Sequence, residues 1–359
     1  MKRGATLAIL LVAVGVGVGL GLRHGTSTGI ETHGGSPLSL AVERVPGTVE
    51  GSVVTAGALS ARGDLALGSK SGAVEVFAPS SGPPRNGVAF HWLASRVSDI
   101  AISGDGSTVA AEMGGLGETA GELLAWRVRG EASYSASVVP SSDVWALALS
   151  SDGNLLAAVI DGQVDVYSIT ARRELASFRI PGPISSGRPQ NLALRFNRAD
   201  TAIAVGAGED VTAWALTEGR KLWSVSCHCA AENIAISSNL RYAAFGTDDA
   251  HVILWDLWHR DEAVDFTVTA NPQANTDAVQ IDNHGQYLVA ASGGTIGVWR
   301  SPRPTTSPTT LHLTDGGEGG EIDNIEMTAN GDRMLVYPFP TPSVTEQGAI
   351  GSGWLVRIR

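Results

Sequence analysis

One module constrains what this chain can fold into more than any other feature. Between His228 and Asp256 the sequence reads HCAAENIAISSNLRYAAFGTDDAHVILWD. Two alternating runs, Asn233 to Ser237 and Tyr242 to Gly246, precede the turn Thr247-Asp248-Asp249-Ala250, and a third run closes on Trp255-Asp256. Apolar residues at every second position over such short runs, separated by turn residues, specify antiparallel strands joined by tight connections.

Six other segments follow the same order. The clearest marker is a hairpin after the first run: Ile100 to Gly106 ends Asp-Gly, Trp145 to Gly153 ends Asp-Gly, and Ile325 to Gly331 ends Asn-Gly. These pairs tolerate the positive φ that a tight hairpin needs, so Asp105, Asp152 and Asn330 read as turn residues and not as catalytic acids or calcium ligands. Val279 to Gly285 repeats the arrangement, Ala58 to Gly68 crosses an Arg-Gly turn, and Leu192 to Leu216 carries three further runs. Starts fall about 40 to 50 residues apart, the period of propeller blades. Forty-four glycines among 359 residues and a hydrophobic share of 43% fit many short strands around a sizeable core.

The seventh unit stops after its third strand, Trp354 to Ile358, which would leave an open sheet edge. Leu38 to Val45 is an orphan strand ahead of the first unit and is expected to fill that edge. The expected architecture is therefore all-β: a seven-bladed β-propeller over residues 37–359, closed by an N-terminal strand.

Blade five resembles the WD-repeat family. Cys227-His228 stands where that family has Gly-His, Gly246-Thr247-Asp248-Asp249 is similar to its Gly-Ser-x-Asp, and Trp255-Asp256 matches its terminal pair. The resemblance implies a hydrogen-bonded brace inside the blade made by His228, Asp249 and Trp255. In other blades the terminal pair departs from the pattern, as in Trp126-Arg127, Tyr167-Ser168, Trp214-Ala215 and Trp299-Arg300.

Ahead of the propeller, Met1-Lys2-Arg3 and the uncharged run Ala5 to Leu22 describe a signal-anchor or signal-peptide helix over residues 1–22. No Ala-x-Ala cleavage site follows, so a retained membrane anchor is expected, with secretion if the leader is cleaved. Residues 23–36 read as a flexible tether rich in Gly, Thr and Ser. The positive end stays inside, which places the propeller on the extracytoplasmic side of a cell membrane. A formal charge of −11 and the lack of a basic stripe exclude a nucleic-acid role.

Cys227-His228-Cys229 is the most chemical-looking triplet. It reads first as a structural histidine between incidental cysteines, with a Cys-x-Cys disulfide or a thiolate-imidazole metal site as the alternatives. No catalytic or cofactor motif occurs, and no cofactor is expected. Function is then sought on the loops joining strand two to strand three, and each blade to the next. That face would gather Glu118, Asp161, Glu209, Asp210, Asp248, Asp315 and Glu318, with Arg188 among them. The expected function is a non-enzymatic scaffold that binds another protein or a cell-envelope component. The rival is a metal-dependent hydrolase or lactonase-like propeller with acids and histidines in its central channel.

Overall fold

The computed structural model describes residues 38–45, 48–49, 52–79, 88–91, 96–114, 122–128, 144–180, 192–259, 261–268, 275–300, 308–313, 322–338 and 353–359. Their strands form seven sheets. Lettering each blade a to d from the inside outward, the a strands are Ser52–Leu59, Val97–Ile102, Val144–Leu149, Leu192–Phe196, Ala231–Ile236, Ala278–Ile281 and Ile322–Met327. Each a strand touches that of the next blade, and the seventh touches the first, so the sheets stand in a closed ring around a central channel. The seven-bladed propeller expected from the repeats is the observed fold.

Blades three to six each have four antiparallel strands. In blade two the described residues supply three, ending at Glu122–Arg127. Blade one carries an addition that the alternation did not foretell: Thr48–Val49 pairs with the start of the a strand, Thr48 opposite Val53.

Closure of the ring follows the open-edge argument. Leu40–Arg44 pairs antiparallel with Trp354–Ile358, placing Leu40 opposite Ile358 and Val42 opposite Val356. The ladder continues past the strand ends, since Ser39 and Arg359 exchange amide hydrogen bonds of 2.9 Å and the Val45 amide donates to the Gly353 carbonyl at 3.0 Å. The last blade thus acquires its d strand from the start of the propeller.

Between blades the sheets pack face to face, which explains why the middle strands are apolar on both sides. Thr108–Met113 is buried along its whole length, as is Leu65–Ser69. The strand-c tryptophans Trp126, Trp214 and Trp299 are core residues. Trp214 stacks on Phe178 of the preceding blade and Trp299 packs against Phe266 of its own predecessor, both at 5.3 Å between ring centroids.

The a–b hairpins lie on one face and knit the ring together. The Asp105 amide donates to the Ser151 carbonyl of the next blade at 2.9 Å, and the Ser151 amide donates to the Asp200 carboxylate at 3.0 Å. Further round, the Arg198 amide donates to Ser238, Asn283 to Ala329, and Ala329 to Ala61, which carries the chain of contacts across the closure. Two of the hairpin glycines show a double requirement. Gly285 has φ +70° and a Cβ there would fall 2.3 Å from the Tyr242 ring of the preceding blade; Gly331 has φ +69° and would meet the Tyr287 ring at 2.4 Å. Only glycine satisfies both the backbone and the contact.

Within the hairpins, Asp105 accepts the Ser103 hydroxyl at 2.7 Å and the Ser107 amide at 2.9 Å, and Asp152 accepts from Ser150 and Asn154 in the same way. Burial works to raise both carboxyls, but these donors outweigh it and hold them below the ordinary aspartate range. They are turn residues, as the Asp-Gly pattern required.

Among the described residues no helix is long and apolar enough to cross a membrane; the run Ala5 to Leu22 lies outside them.

Candidate functional site

Opposite the hairpins, the b–c turns share a face with the connections from one blade to the next. Asp161, Glu209, Asp248 and Asp249 all sit exposed on b–c turns, those of blades three, four and five, and Asp210 opens the following strand half-buried. Glu118, Arg188, Asp315 and Glu318 lie outside the described residues.

Cys227, His228 and Cys229 form the connection from blade four to blade five on this face. The two cysteines are joined by a disulfide with Cα atoms 5.2 Å apart, which corrects the reading of incidental cysteines and removes both thiols as metal ligands. The loop is pinned to its neighbour, since the Cys227 amide donates to the Glu209 carbonyl at 2.9 Å.

The brace of His228, Asp249 and Trp255 is not assembled. Bridging residues 227 and 229 puts His228 at φ +51° and leaves it exposed, its ring 3.5 Å from the Ser226 hydroxyl. Asp249 accepts the Thr247 hydroxyl instead, and that bond holds its carboxyl below the usual range. Trp255 keeps its indole N–H buried without a hydrogen-bond partner. The Asp of the terminal pair has different work: Asp256 accepts Arg241 Nη2 at 3.0 Å and His259 Nδ1 at 2.9 Å, locking the c–d turn of blade five.

The second site is the channel itself, a cavity of about 370 Å³ lined by all seven a strands. A β-bulge bends the start of the a strand in blades one, two, three, five and seven, and the next residue is Ala56, Asp99, Ala146, Asn233 and Asn324 respectively. Two positions further on, just before each hairpin, the seven blades carry Ala58, Ala101, Ala148, Arg195, Ala235, Gln280 and Glu326, and every one of them lines the cavity. Four blades therefore carry alanine at this position, and Ala58, Ala148 and Ala235 are buried in the packing between blades, where the other three blades carry long polar side chains.

Arg195 and Gln280 are tied together. Arg195 Nε donates to the Ile236 carbonyl at 3.3 Å and Nη2 to Gln280 Oε1 at 3.4 Å, while Gln280 Nε2 donates to the Ile325 carbonyl at 3.2 Å. Glu326 has no such anchor: no hydrogen bond or ion pair joins it to another described residue. Burial is the largest influence on its carboxyl; Arg195 lowers it, Asp99 across the channel raises it, and the outcome is a value pushed up to about 7. Sequence reasoning missed Asp99, Arg195, Gln280 and Glu326. Their signal was present, because aligning the runs on their hairpins shows three polar residues in a column otherwise filled by alanine.

Among the described residues no group of three or more His, Cys, Asp and Glu side chains is arranged to hold a metal ion. Compared with known families and with curated proteins, the chain matches none, so its architecture stands on strand order and ring closure alone.

Proposed function

We propose that this chain is a binding scaffold, tethered to the membrane by residues 1–22 and presenting its b–c face to a basic partner on the extracytoplasmic side. The observation that carries the reading is the recurrence of exposed acids, Asp161, Glu209, Asp248 and Asp249, on the b–c turns of three consecutive blades. A rigid sheet stack holds these turns at fixed spacing, and a field of one sign on a fixed surface steers a partner of the opposite sign. The partner is another protein or a cell-envelope component, and the scaffold itself performs no chemistry. Within this reading the chain is a divergent WD-repeat propeller, supported by the Trp255-Asp256 ending of blade five and the shared blade number.

Affinity capture from envelope extracts with the full chain tests the proposal. Retention of a partner should fall with added salt and fall again when Asp161, Glu209, Asp248 and Asp249 are changed to their amides. Retention indifferent to both would sink the electrostatic account.

A second reading, hydrolysis in the channel, draws on the facing carboxylates Asp99 and Glu326. Metal analysis of the purified full chain separates the two, since one tightly held ion per chain would favour the hydrolase.

A further inference from the structure

Both cysteines of the chain go into one bridge that spans a sequence separation of 2. So small a ring restricts little of the unfolded chain, and the connection that contains it is anchored without it. On one side Ser226 pairs with Asp210 at the end of the blade-four sheet, and on the other Ala231 pairs with Thr247 at the start of the blade-five sheet. The bridge is therefore a poor staple.

Its surroundings suit a different use. The two sulfurs are unequal: Cys227 is buried in the apolar packing between blades four and five, while Cys229 is half-buried between the exposed residues His228 and Ala230. A thiolate arriving from solvent meets Cys229 first. The sulfur it would displace already has a donor, because the Cys229 amide donates to Cys227 Sγ at 3.3 Å. Such a hydrogen bond strengthens when its acceptor becomes an anion, which eases departure of Cys227 as a thiolate and offsets part of the burial that opposes charge there. Opening the ring also frees His228 from φ +51°, a left-handed conformation that few residues other than glycine adopt. Because the paired strands hold both ends of the loop, the two sulfurs stay neighbours after reduction and can re-form the bridge.

We propose that Cys227–Cys229 is a thiol–disulfide exchange site on the b–c face, opened by attack of an external thiolate on Cys229 Sγ. The thiolate's electron pair makes the new S–S bond to Cys229, the Cys227–Cys229 bond breaks, and its electron pair leaves on Cys227 Sγ, which takes a proton from water. A second external thiolate then attacks the incoming sulfur of the mixed disulfide and releases Cys229. Two external thiols are thereby oxidised to a disulfide, and the bridge is reduced to two thiols. The exchange is stoichiometric, one bridge per chain, and holds whether or not the acidic turns bind a partner.

Treating the native full chain with 2-mercaptoethanol, or with a peptide carrying one cysteine, tests this when the reaction is quenched with iodoacetamide and read by peptide mass spectrometry. The first adduct should sit on Cys229, with the alkyl label on Cys227. Exchange should run within about tenfold of its rate in guanidinium, where access is complete. The reduced chain should keep the circular dichroism of the oxidised one. Reaction with the peptide as well as with 2-mercaptoethanol assigns the site a protein's thiol, and reaction with 2-mercaptoethanol alone assigns it a small one. A native rate further below the denatured one, a first adduct on Cys227, or a fold lost on reduction would each overturn the proposal.

Discussion

Arg195 and Glu326 face the same channel, yet the guanidinium gives its hydrogen bonds to Ile236 and Gln280 and leaves the carboxylate without an ion pair among the described residues. The pairing that charge alone would favour is thus not made, and Glu326 is held at about 7 by burial and by Asp99 in spite of Arg195.

That relationship fixes how stability should respond to pH. An unfolded glutamate titrates near 4.5, so between 4.5 and about 7 the native state keeps a proton that the unfolded state has lost. Stability therefore declines as pH rises through this window, and the full penalty, roughly 3 kcal/mol, is in force above it. Glu326→Gln should melt several degrees above the parent at pH 8 and match it near pH 4.5. Thermal scans at the two pH values check this, and equal melting at both would show that Glu326 ionises freely in the folded protein.

Asp256 should behave in the opposite sense. Burial works to raise its carboxyl, but His259, Arg241 and two backbone amides outweigh it and hold the group below its ordinary range. Its contribution is therefore present above the unfolded aspartate value and lost as pH falls through the lower folded one. Asp256→Asn should cost about 1–3 kcal/mol at pH 6 and progressively less below pH 4. Urea titrations across that range measure it; a cost that does not shrink in acid would point to packing instead of charge.

The hairpin glycines separate backbone strain from steric contact. Gly219 also has positive φ, +63°, but a Cβ there would meet nothing within 4 Å. Gly219→Ala should cost about 1 kcal/mol, and Gly285→Ala, which adds the overlap with Tyr242, about 2–4 kcal/mol. Equal costs in chemical denaturation would mean that Tyr242 swings aside freely.

Loss of the disulfide should be mild, because the bridge spans a sequence separation of only 2 and restricts little of the unfolded chain. Replacing Cys227 and Cys229 with serine should lower stability by about 1.5 kcal/mol at most. The same change should loosen the contact to Glu209, read as faster hydrogen exchange at the Cys227 amide. Unchanged exchange there would show that the main chain holds the loop without the bridge.

How much of this was legible in the sequence depends on whether a feature is local. Strand alternation and Asp-Gly turns are local, so the blades, the hairpin roles of Asp105 and Asp152, and even the closing strand could be read directly. The b–c turns that carry Asp161, Glu209, Asp248 and Asp249 are local features too. The brace was not, because the family pattern does not contain a bridge between Cys227 and Cys229, and that bridge turns His228 outward. The channel was hidden for another reason. Asp99, Arg195 and Glu326 belong to blades two, four and seven, and a polar residue in an alternating run looks the same whether it faces solvent or an enclosed channel. Only closure of the ring brings them together.

Closure is the claim on which the faces, the channel and the proposed sites depend, and one cross-link tests it. Val42 lies opposite Val356 in a pair that does not exchange backbone hydrogen bonds, the geometry in which cross-strand side chains come closest. With Cys227 and Cys229 replaced by serine, a chain carrying Val42→Cys and Val356→Cys should oxidise to an intramolecular disulfide found by mass spectrometry. It should also resist denaturant better than its reduced form, because the bridge links the two ends of the propeller. Two free thiols after mild oxidation, or bridges only between separate molecules, would show that the first strand does not complete the last blade.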